Sequence, residues 1–138
     1  MESSTVFDCG IIDLPVINAE SGTITSLNNS KDLPFDIKRV YYLYDVPNAA
    51  DRGAHGHRNL RQLIVAASGS FVINLFDGRD SRSFVLNQPN KGLLIVPGIW
   101  RELNGFSGGA ICLVLASEEY GENDYIRDYE EFLNFKGV

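Results

Sequence analysis

The chain has 138 residues and a net charge of -6 at pH 7. This length suits one domain with a substantial core that needs no disulfide bonds, so we expect a single domain over residues 1–138. The acidic balance argues against nucleic acid as a partner, and no stretch approaches the roughly 18 apolar residues of a membrane span. We therefore expect a cytoplasmic protein in which Cys9 and Cys112 remain reduced.

Short apolar segments separated by turn signals predict a series of strands. The first predicted strand covers residues 35–44 and ends at the turn Asp45-Val46-Pro47-Asn48. Six more follow at residues 62–67, 71–76, 81–86, 92–96, 100–103 and 110–116. Asp77-Gly78 is a favoured hairpin signal between two of them. This regular spacing is typical of a sandwich or a barrel.

The C-terminal segment changes period. Its apolar residues recur at helical intervals, namely Tyr125, Ile126, Tyr129, Phe132 and Leu133. We expect a short amphipathic helix with Asn123 or Asp124 as its N-cap, whose aromatic stripe packs against the rest of the fold.

The segment 52–57 (RGAHGH) holds both histidines of the sequence, His55 and His57. Because alternate residues of a strand point to the same side, the two imidazoles are expected to project together from one face. Imidazole exchanges protons near neutral pH and also binds metals, so we expect the functional site here. Five of the twelve Lys and Arg residues lie between positions 38 and 61, which favours an anionic small ligand.

The spacing from His55-Gly56-His57 to Gln62 and Gly69 resembles the first motif of the cupin superfamily. Cupins are antiparallel jelly-roll barrels, so we expect an all-β, cupin-type barrel with a short C-terminal helix. A typical cupin metal site adds a Glu and a third His, whereas this sequence has Gln62 and no third histidine. Two imidazoles and a neutral amide make a weak donor set, and we expect no metal and no other cofactor.

A closer resemblance covers residues 33–135. Five segments carry it in order: 37–42 (IKRVYY), 52–57, 97–100 (PGIW), 114–117 and 123–129 (NDYIRDY). Together they resemble the dTDP-4-keto-6-deoxyglucose 3,4-ketoisomerases, which are WxcM-like cupins of bacterial deoxysugar and surface-polysaccharide (lipopolysaccharide) biosynthesis. The resemblance implies a metal-independent isomerase of a dTDP-linked keto-deoxysugar. It also implies a homodimer that exchanges N-terminal strands from about residues 1–30. Where members commonly have a histidine after the tryptophan, this chain has Arg101.

Moving a ketone from C4 to C3 of a hexose requires a base, an acid and a stabiliser for the intermediate enediolate. We predict His57 as the base at C3 and His55 as the group that polarises the carbonyl or protonates C4, with the reverse assignment open. Arg52 is the leading candidate for stabilising the oxyanion. The second candidate for this role is a tyrosine from the set Tyr41, Tyr42 and Tyr44, and of these we select Tyr42.

Binding of the nucleotide requires cations for the diphosphate and an aromatic ring for the base. The predicted substrate-binding residues are Arg39, Tyr44, Arg58, Arg61, Trp100 and Arg101. Alternation places Tyr42 and Tyr44 on one face of their strand and Arg39 and Tyr41 on the other, and which face points inward stays open. Three alternatives remain: a metal-dependent cupin enzyme, a non-catalytic module that binds a sugar nucleotide, and a 3,5-epimerase.

Overall fold

The computed structural model describes residues 3–138 and is built mainly of antiparallel strands. In chain order the strands are β1 Gly10–Asp13, β2 Ile17–Ala19, β3 Gly22–Ile24, β4 Arg39–Leu43, β5 Arg52–His57, β6 Gln62–Ser68, β7 Phe71–Phe76, β8 Ser81–Leu86, β9 Lys91–Ile95, β10 Trp100–Asn104, β11 Ile111–Ala116 and β12 Tyr125–Ile126. Short 3-10 turns occur at Val6–Asp8 and Glu122–Asp124, and one helix, α1, spans Tyr129–Lys136.

The strands form two five-stranded sheets and a separate hairpin. The first sheet has the order β1-β9-β6-β11-β4, the second has the order β12-β5-β10-β7-β8, and β2 pairs only with β3. The predicted all-β antiparallel class with a short C-terminal helix is confirmed. Within residues 3–138 the sheets face each other as a sandwich, however, and are not hydrogen-bonded into a closed barrel.

The main core lies between the two sheets. Phe71, Ile73 and Leu75 alternate along β7 and are at most 1% exposed, while the residues between them are half-buried. They pack in one cluster with Ile64 and Val114 of the first sheet. This two-residue period allows the facing sheets to share one apolar layer.

A second cluster covers the outer face of the first sheet. Leu63 and Val65 of β6 point away from the main core and pack with Leu33 and Phe35. Strand β6 is therefore apolar on both sides, which explains its uninterrupted apolar run. The predicted strand 35–44 begins only at Arg39, because Phe35 belongs to the segment that covers this sheet.

The predicted bounds of β7 and β8 are confirmed, whereas the helix begins later than expected. Asp128, rather than Asn123 or Asp124, is the N-cap of α1, and its side chain accepts a hydrogen bond from the backbone N–H of Glu131 at 3.1 Å. Between residues 3 and 138, no helix has the length and apolar character to cross a membrane. Cys9 and Cys112 are buried free thiols.

Candidate active site

A cavity of about 380 Å³ opens between the two sheets. The first sheet contributes residues of β4, β6 and β11 to its wall, and the second sheet contributes residues of β5, β10 and the β12 segment. Aliphatic side chains such as Ile64 and Leu103 line it together with charged and aromatic groups. Its volume falls in the usual range for small-molecule sites.

Strand β5 carries the two histidines on one face, as predicted. Their Nε2 atoms lie 3.1 Å apart, and the rings meet edge to face at an interplanar angle of 89°. His55 lines the cavity, whereas His57 is 0% exposed and lies behind it. The rings therefore stand in series, with only one of them in contact with the space where a ligand fits.

Two glycines allow β5 to take this course. Gly53 has a φ of +72°, in the left-handed region that favours glycine. At Gly56, a Cβ atom would lie 3.0 Å from Cδ1 of Phe132, so helix α1 packs directly against the backbone between the histidines. The glycines thus serve the geometry of the strand that presents the imidazoles.

Asp124 completes the row of polar groups behind the cavity. Its Oδ2 lies 2.9 Å from Nδ1 of His57, and its Oδ1 accepts the backbone N–H of Asn59 at 2.6 Å. Because a carboxylate only accepts hydrogen bonds, Nδ1 of a neutral His57 carries the hydrogen and its Nε2 accepts one from His55. Nδ1 of His55 is then the ring nitrogen with no protein partner within residues 3–138.

Both imidazoles are held neutral. Burial, which is the largest cause, and the nearby positive charges of Arg101 and Arg127 together lower the pKa of His55 from 6.5 to about 3. Burial and Arg101 also lower the pKa of His57. At neutral pH, His55 is therefore an unprotonated base at the cavity wall.

Arg101 supplies a buried positive charge in the same wall. It is the register partner of His55 across the β10–β5 pair and is 1% exposed. Its Nη2 donates to the carbonyl of Ile99 at 3.2 Å, and its Nη1 donates to the side-chain oxygen of Gln62. A guanidinium in a water-poor cavity interacts strongly with an anion placed beside it.

Further arginines reach the cavity from its edges. Arg39 lies over the ring of Tyr41 at 4.5 Å, and the exposed Arg52 begins β5. Arg127 also lines the cavity and pairs with Glu122, whose carboxylate lies 2.6 Å from its Nε. These cations make the cavity suitable for an anionic ligand even though the chain is acidic overall.

The predicted site residues divide into two groups. His55, Arg39, Arg52 and Arg101 line the cavity, with His57 directly behind His55. Five others lie outside the cavity: Tyr42, Tyr44, Arg58, Arg61 and Trp100. For these five, the expected position at the site has to be corrected.

The physical reasons differ among the five. Tyr42 on the outer face of β4 is 58% exposed and Tyr44, just beyond the end of that strand, is 62% exposed. The inward face of β4 is therefore the one that carries Arg39 and Tyr41. Trp100 is 7% exposed beneath α1, where its ring packs 5.5 Å from that of Phe132. Arg58 pairs with Glu131 of the helix at 2.8 Å, and Arg61 is exposed on the surface.

Several site residues were not selected from the sequence. The sequence offers Asp124 only as one of two candidates for a helix cap and places Tyr125 in the helix, whereas Asp124 contacts His57, and Tyr125 and Arg127 line the cavity. Tyr41 was named only as one of three tyrosines. One signal in the sequence favours Tyr41 as a site residue: two residues apart on a strand, Arg39 and Tyr41 share a face.

The donor groups do not fit a resident metal ion. The Nε2 atoms of His55 and His57 face each other, Nδ1 of His57 faces Asp124, and the amide oxygen of Gln62 is engaged by Arg101. In the described part of the chain, no group of three or more His, Cys, Asp or Glu side chains is arranged to hold an ion. The buried guanidinium would also repel a cation there.

Comparison with known proteins gives consistent matches over almost the whole chain. A family model described as FdtA, WxcM-like, C-terminal, matches residues 7–137. The curated TDP-4-oxo-6-deoxy-alpha-D-glucose-3,4-oxoisomerase of Aneurinibacillus thermoaerophilus is 37% identical over 125 residues, covering 91% of this chain and 90% of that protein.

Solved structures agree with this result. A 3,4-ketoisomerase from Helicobacter canadensis has a TM-score of 0.92 and 46% identity over 95% of this chain and 98% of its own. A sugar 3,4-ketoisomerase from Thermoanaerobacterium thermosaccharolyticum, in complex with TDP, has a TM-score of 0.93 and 38% identity over 96% of both chains. Almost the whole fold therefore has a counterpart in these proteins.

Proposed function

The chain belongs to the WxcM-like FdtA family, and on this basis we propose that it is a 3,4-ketoisomerase that moves the keto group of a TDP-linked 4-keto-6-deoxyhexose from C4 to C3. Such an enzyme is an intramolecular oxidoreductase, because C3 is oxidised while C4 is reduced and no external electron acceptor is needed. The relative from Aneurinibacillus thermoaerophilus bears the name of this activity, and the one from Thermoanaerobacterium thermosaccharolyticum was solved with TDP.

The observation that carries the proposal is a neutral imidazole beside a buried positive charge. His55 lines the cavity with a lowered pKa, and Arg101 is its partner on the adjacent strand. Removing a proton next to a ketone requires a base, and the resulting enediolate requires a nearby cation or hydrogen-bond donor. The cavity offers both groups in one wall.

We assign the base at C3 to His55. Its Nδ1 takes the proton from C3, the electrons of that C–H bond form the C3=C4 double bond, and the former carbonyl oxygen at C4 becomes an oxyanion beside Arg101. The same nitrogen then returns the proton to C4, and the electrons of the double bond form the new bond. The O3 hydroxyl becomes the C3 carbonyl, and its proton ends on O4.

His57 and Asp124 support the base rather than contact the sugar. When His55 is protonated, its Nε2–H points at Nε2 of His57, and Asp124 holds the hydrogen on the far nitrogen of that ring. This arrangement fixes the tautomers of both rings and stabilises positive charge on them. Of the two assignments that the sequence leaves open, we therefore choose His55 rather than His57 as the base at C3, because His57 is fully buried.

We assign binding of the diphosphate to the arginines at the cavity edge, Arg39, Arg52 and Arg127. Arg52, first considered as the oxyanion stabiliser, is exposed, whereas Arg101 is buried beside His55. Arginine suits phosphate groups because its planar fork forms paired hydrogen bonds.

We also propose that two copies associate and exchange their N-terminal strands. Three features support this dimer: Ile17 and Ile24 of the β2–β3 hairpin are each 61% exposed, β4 is an edge strand, and Val40 on its outer face is 55% exposed. An exposed edge strand offers backbone groups for a strand of another chain. Light scattering of the purified protein is expected to give twice the monomer mass, and Val40→Lys is expected to weaken the association; a wild-type monomer would contradict this part.

The activity is tested by NMR during incubation with TDP-4-keto-6-deoxyglucose in D₂O containing a chelator. We expect conversion to the 3-keto isomer, no deuterium at C5, and no conversion by the His55→Asn variant. Deuterium at C5 would indicate a 3,5-epimerase instead. Saturable binding of TDP with no turnover and no exchange at C3 would indicate a binding module and would refute the proposal, as would activity that disappears with the chelator.

A further inference from the structure

We propose that Gln62 is a positioning residue: its amide holds the guanidinium of Arg101 without neutralising it and leaves the hydroxyl hydrogen of Tyr41 free for the cavity. The inference rests on the proposed ketoisomerase function, since it concerns how that site keeps its positive charge. It adds a role for a residue that, in the assignments above, serves only as a contact of Arg101.

Gln62 occupies a central place in the site. It begins β6, in the middle of the first sheet, is 1% exposed and lines the cavity. Its Oε1 accepts from Nη1 of Arg101, and its Nε2 donates to the hydroxyl oxygen of Tyr41 at 3.0 Å. One amide therefore connects β4, β6 and β10 across the two sheets.

The first consequence concerns charge. Both acceptors that Arg101 contacts, the Gln62 amide and the Ile99 carbonyl, are neutral, and Nε of Arg101 has no hydrogen-bond partner among residues 3–138. Burial lowers the pKa of Arg101 only to about 10, so the guanidinium stays protonated at neutral pH. Its charge is consequently available to an anion in the cavity.

The second consequence concerns the direction of the Tyr41 hydroxyl. Because the Tyr41 oxygen accepts from an amide N–H, its own hydrogen is not used by Gln62. Burial raises the pKa of Tyr41, so the hydroxyl remains a donor at neutral pH. A carboxylate in place of the amide would accept that hydrogen and turn the donor away from the cavity.

The other charged groups near this network do not neutralise Arg101. Two carboxylates, Asp124 and Glu122, act on Arg101 or on the histidines, but the first is engaged by His57 and the second by Arg127. The other groups that act on Arg101 or on the histidines are Cys9, Arg39, Tyr41, His55, His57, Tyr125 and Arg127, and the exposed Asp51 and Arg52 also line the cavity. A carboxylate at position 62 would therefore be the first acid placed against the guanidinium.

The test uses the near-isosteric variant Gln62→Glu, compared with Gln62→Met and with Gln88→Glu on the surface. In Gln62→Glu we expect kcat to fall about 100-fold, as when one oxyanion donor is lost. The KM and the Kd of TDP should change by less than about threefold, because the substitution weakens an interaction with the enediolate and not one that the bound substrate makes equally in its ground state. The control Gln88→Glu, which adds the same charge at an exposed position, should behave as the wild type.

Titration of the imidazoles by NMR gives a readout that needs no substrate. An added carboxylate offsets the charge of Arg101, so the pKa of His55 should rise from about 3, by about 1–3 units. In Gln62→Met, which adds no charge, the pKa of His55 should stay low even if packing is disturbed. A merely structural role for Gln62 would affect both variants alike.

The outcomes separate this inference from the proposed function. An inactive wild type refutes the ketoisomerase, while the NMR comparison still decides the role of Gln62. A pKa of His55 that is the same in Gln62→Glu and the wild type, or wild-type kcat in Gln62→Glu, would overturn the inference. A raised pKa in Gln62→Met equal to that in Gln62→Glu would overturn it as well.

Discussion

Nε2 of His55 lies 3.1 Å from Nε2 of His57, so the two imidazoles share a hydrogen between them instead of approaching the cavity side by side. His55 faces the cavity. His57 lies behind His55 and is itself bound by Asp124 through Nδ1. Because only His55 contacts the cavity, substitutions of the two histidines should have different effects.

Small imidazole molecules should restore activity to a variant lacking His55, but not to one lacking His57. Both His55→Ala and His57→Ala are expected to lose turnover. Added imidazole reaches the position of His55 because that residue lines the cavity, whereas the position of His57 is sealed. The rate is measured against imidazole concentration. Rescue of His57→Ala alone would mean that His57 contacts the sugar.

Replacing Asp124 by Asn should lower kcat strongly at nearly constant KM. The amide no longer enforces a hydrogen on Nδ1 of His57 and no longer stabilises positive charge on the ring pair, so we expect a loss of about 10²- to 10⁴-fold. Asp128→Asn is the matched control, since Asn also caps helices well. Steady-state kinetics on both variants decide the question, and an unimpaired Asp124→Asn would remove Asp124 from the mechanism.

Activity should persist below the usual pKa of histidine. With the pKa of His55 lowered to about 3, kcat/KM should show no acid limb near pH 6.5. A fall in kcat/KM centred near that pH, with the protein still folded by circular dichroism, would contradict a neutral and buried base.

The same lowered pKa makes the protein less stable in acid. Between pH 6.5 and about 3 the unfolded chain takes up a proton on residue 55 that the folded chain does not. The free energy of unfolding therefore falls as the pH drops through this window, by up to about 1.4 kcal/mol per pH unit for one histidine. Urea unfolding at several pH values should show a shallower dependence in His55→Asn, and an identical slope would argue against the shift.

Gly56→Ala should destabilise the fold. The new methyl group would lie 3.0 Å from Cδ1 and 3.2 Å from Cε1 of Phe132, and overpacking of this kind costs about 1–3 kcal/mol. Gly10→Ala is the control, because nothing lies within 4 Å of its added Cβ. Urea midpoints measure both, and the second substitution Phe132→Leu should recover part of the loss in Gly56→Ala.

Arginines at the cavity should matter for nucleotide affinity, and those outside it should not. Arg39→Ala or Arg52→Ala is expected to weaken TDP binding by about tenfold or more, as loss of a charge-assisted contact does. Arg58→Ala and Arg61→Ala should leave the affinity nearly unchanged, because both residues lie outside the cavity. Calorimetry provides the comparison. Equal losses of TDP affinity in all four variants would mean that Arg58 and Arg61 contact the nucleotide after all.

Most of the fold could be predicted because apolar segments and turn signals mark many of the strands locally. Asp77-Gly78 lies in the turn that connects β7 and β8, and both strands have the predicted limits. The helix start was wrong because Tyr125 and Ile126 share helical spacing with Tyr129 yet pair with His57 and Gly56 of β5. A backbone pairing between distant strands overrides local periodicity.

Parts of the site were beyond prediction for equally specific reasons. The outer face of β4 carries Val40 and Tyr42, and Tyr44 follows the strand, so both faces of β4 look apolar and the alternation does not reveal the inward one. Asp124 lies 67 positions after its partner His57, and no local pattern connects them. The histidine pair was predictable because its two members lie on one short strand.

The separation of 67 positions between His57 and Asp124 has a consequence for how the enzyme matures. On the ribosome, β5 emerges well before both of its sheet neighbours, β10 and β12, and before the carboxylate that orients its inner ring. A nascent chain that has not reached Asp124 carries its imidazoles with undefined tautomers. Acquisition of catalytic competence is therefore a late event in biogenesis that coincides with completion of the second sheet by β10 and β12.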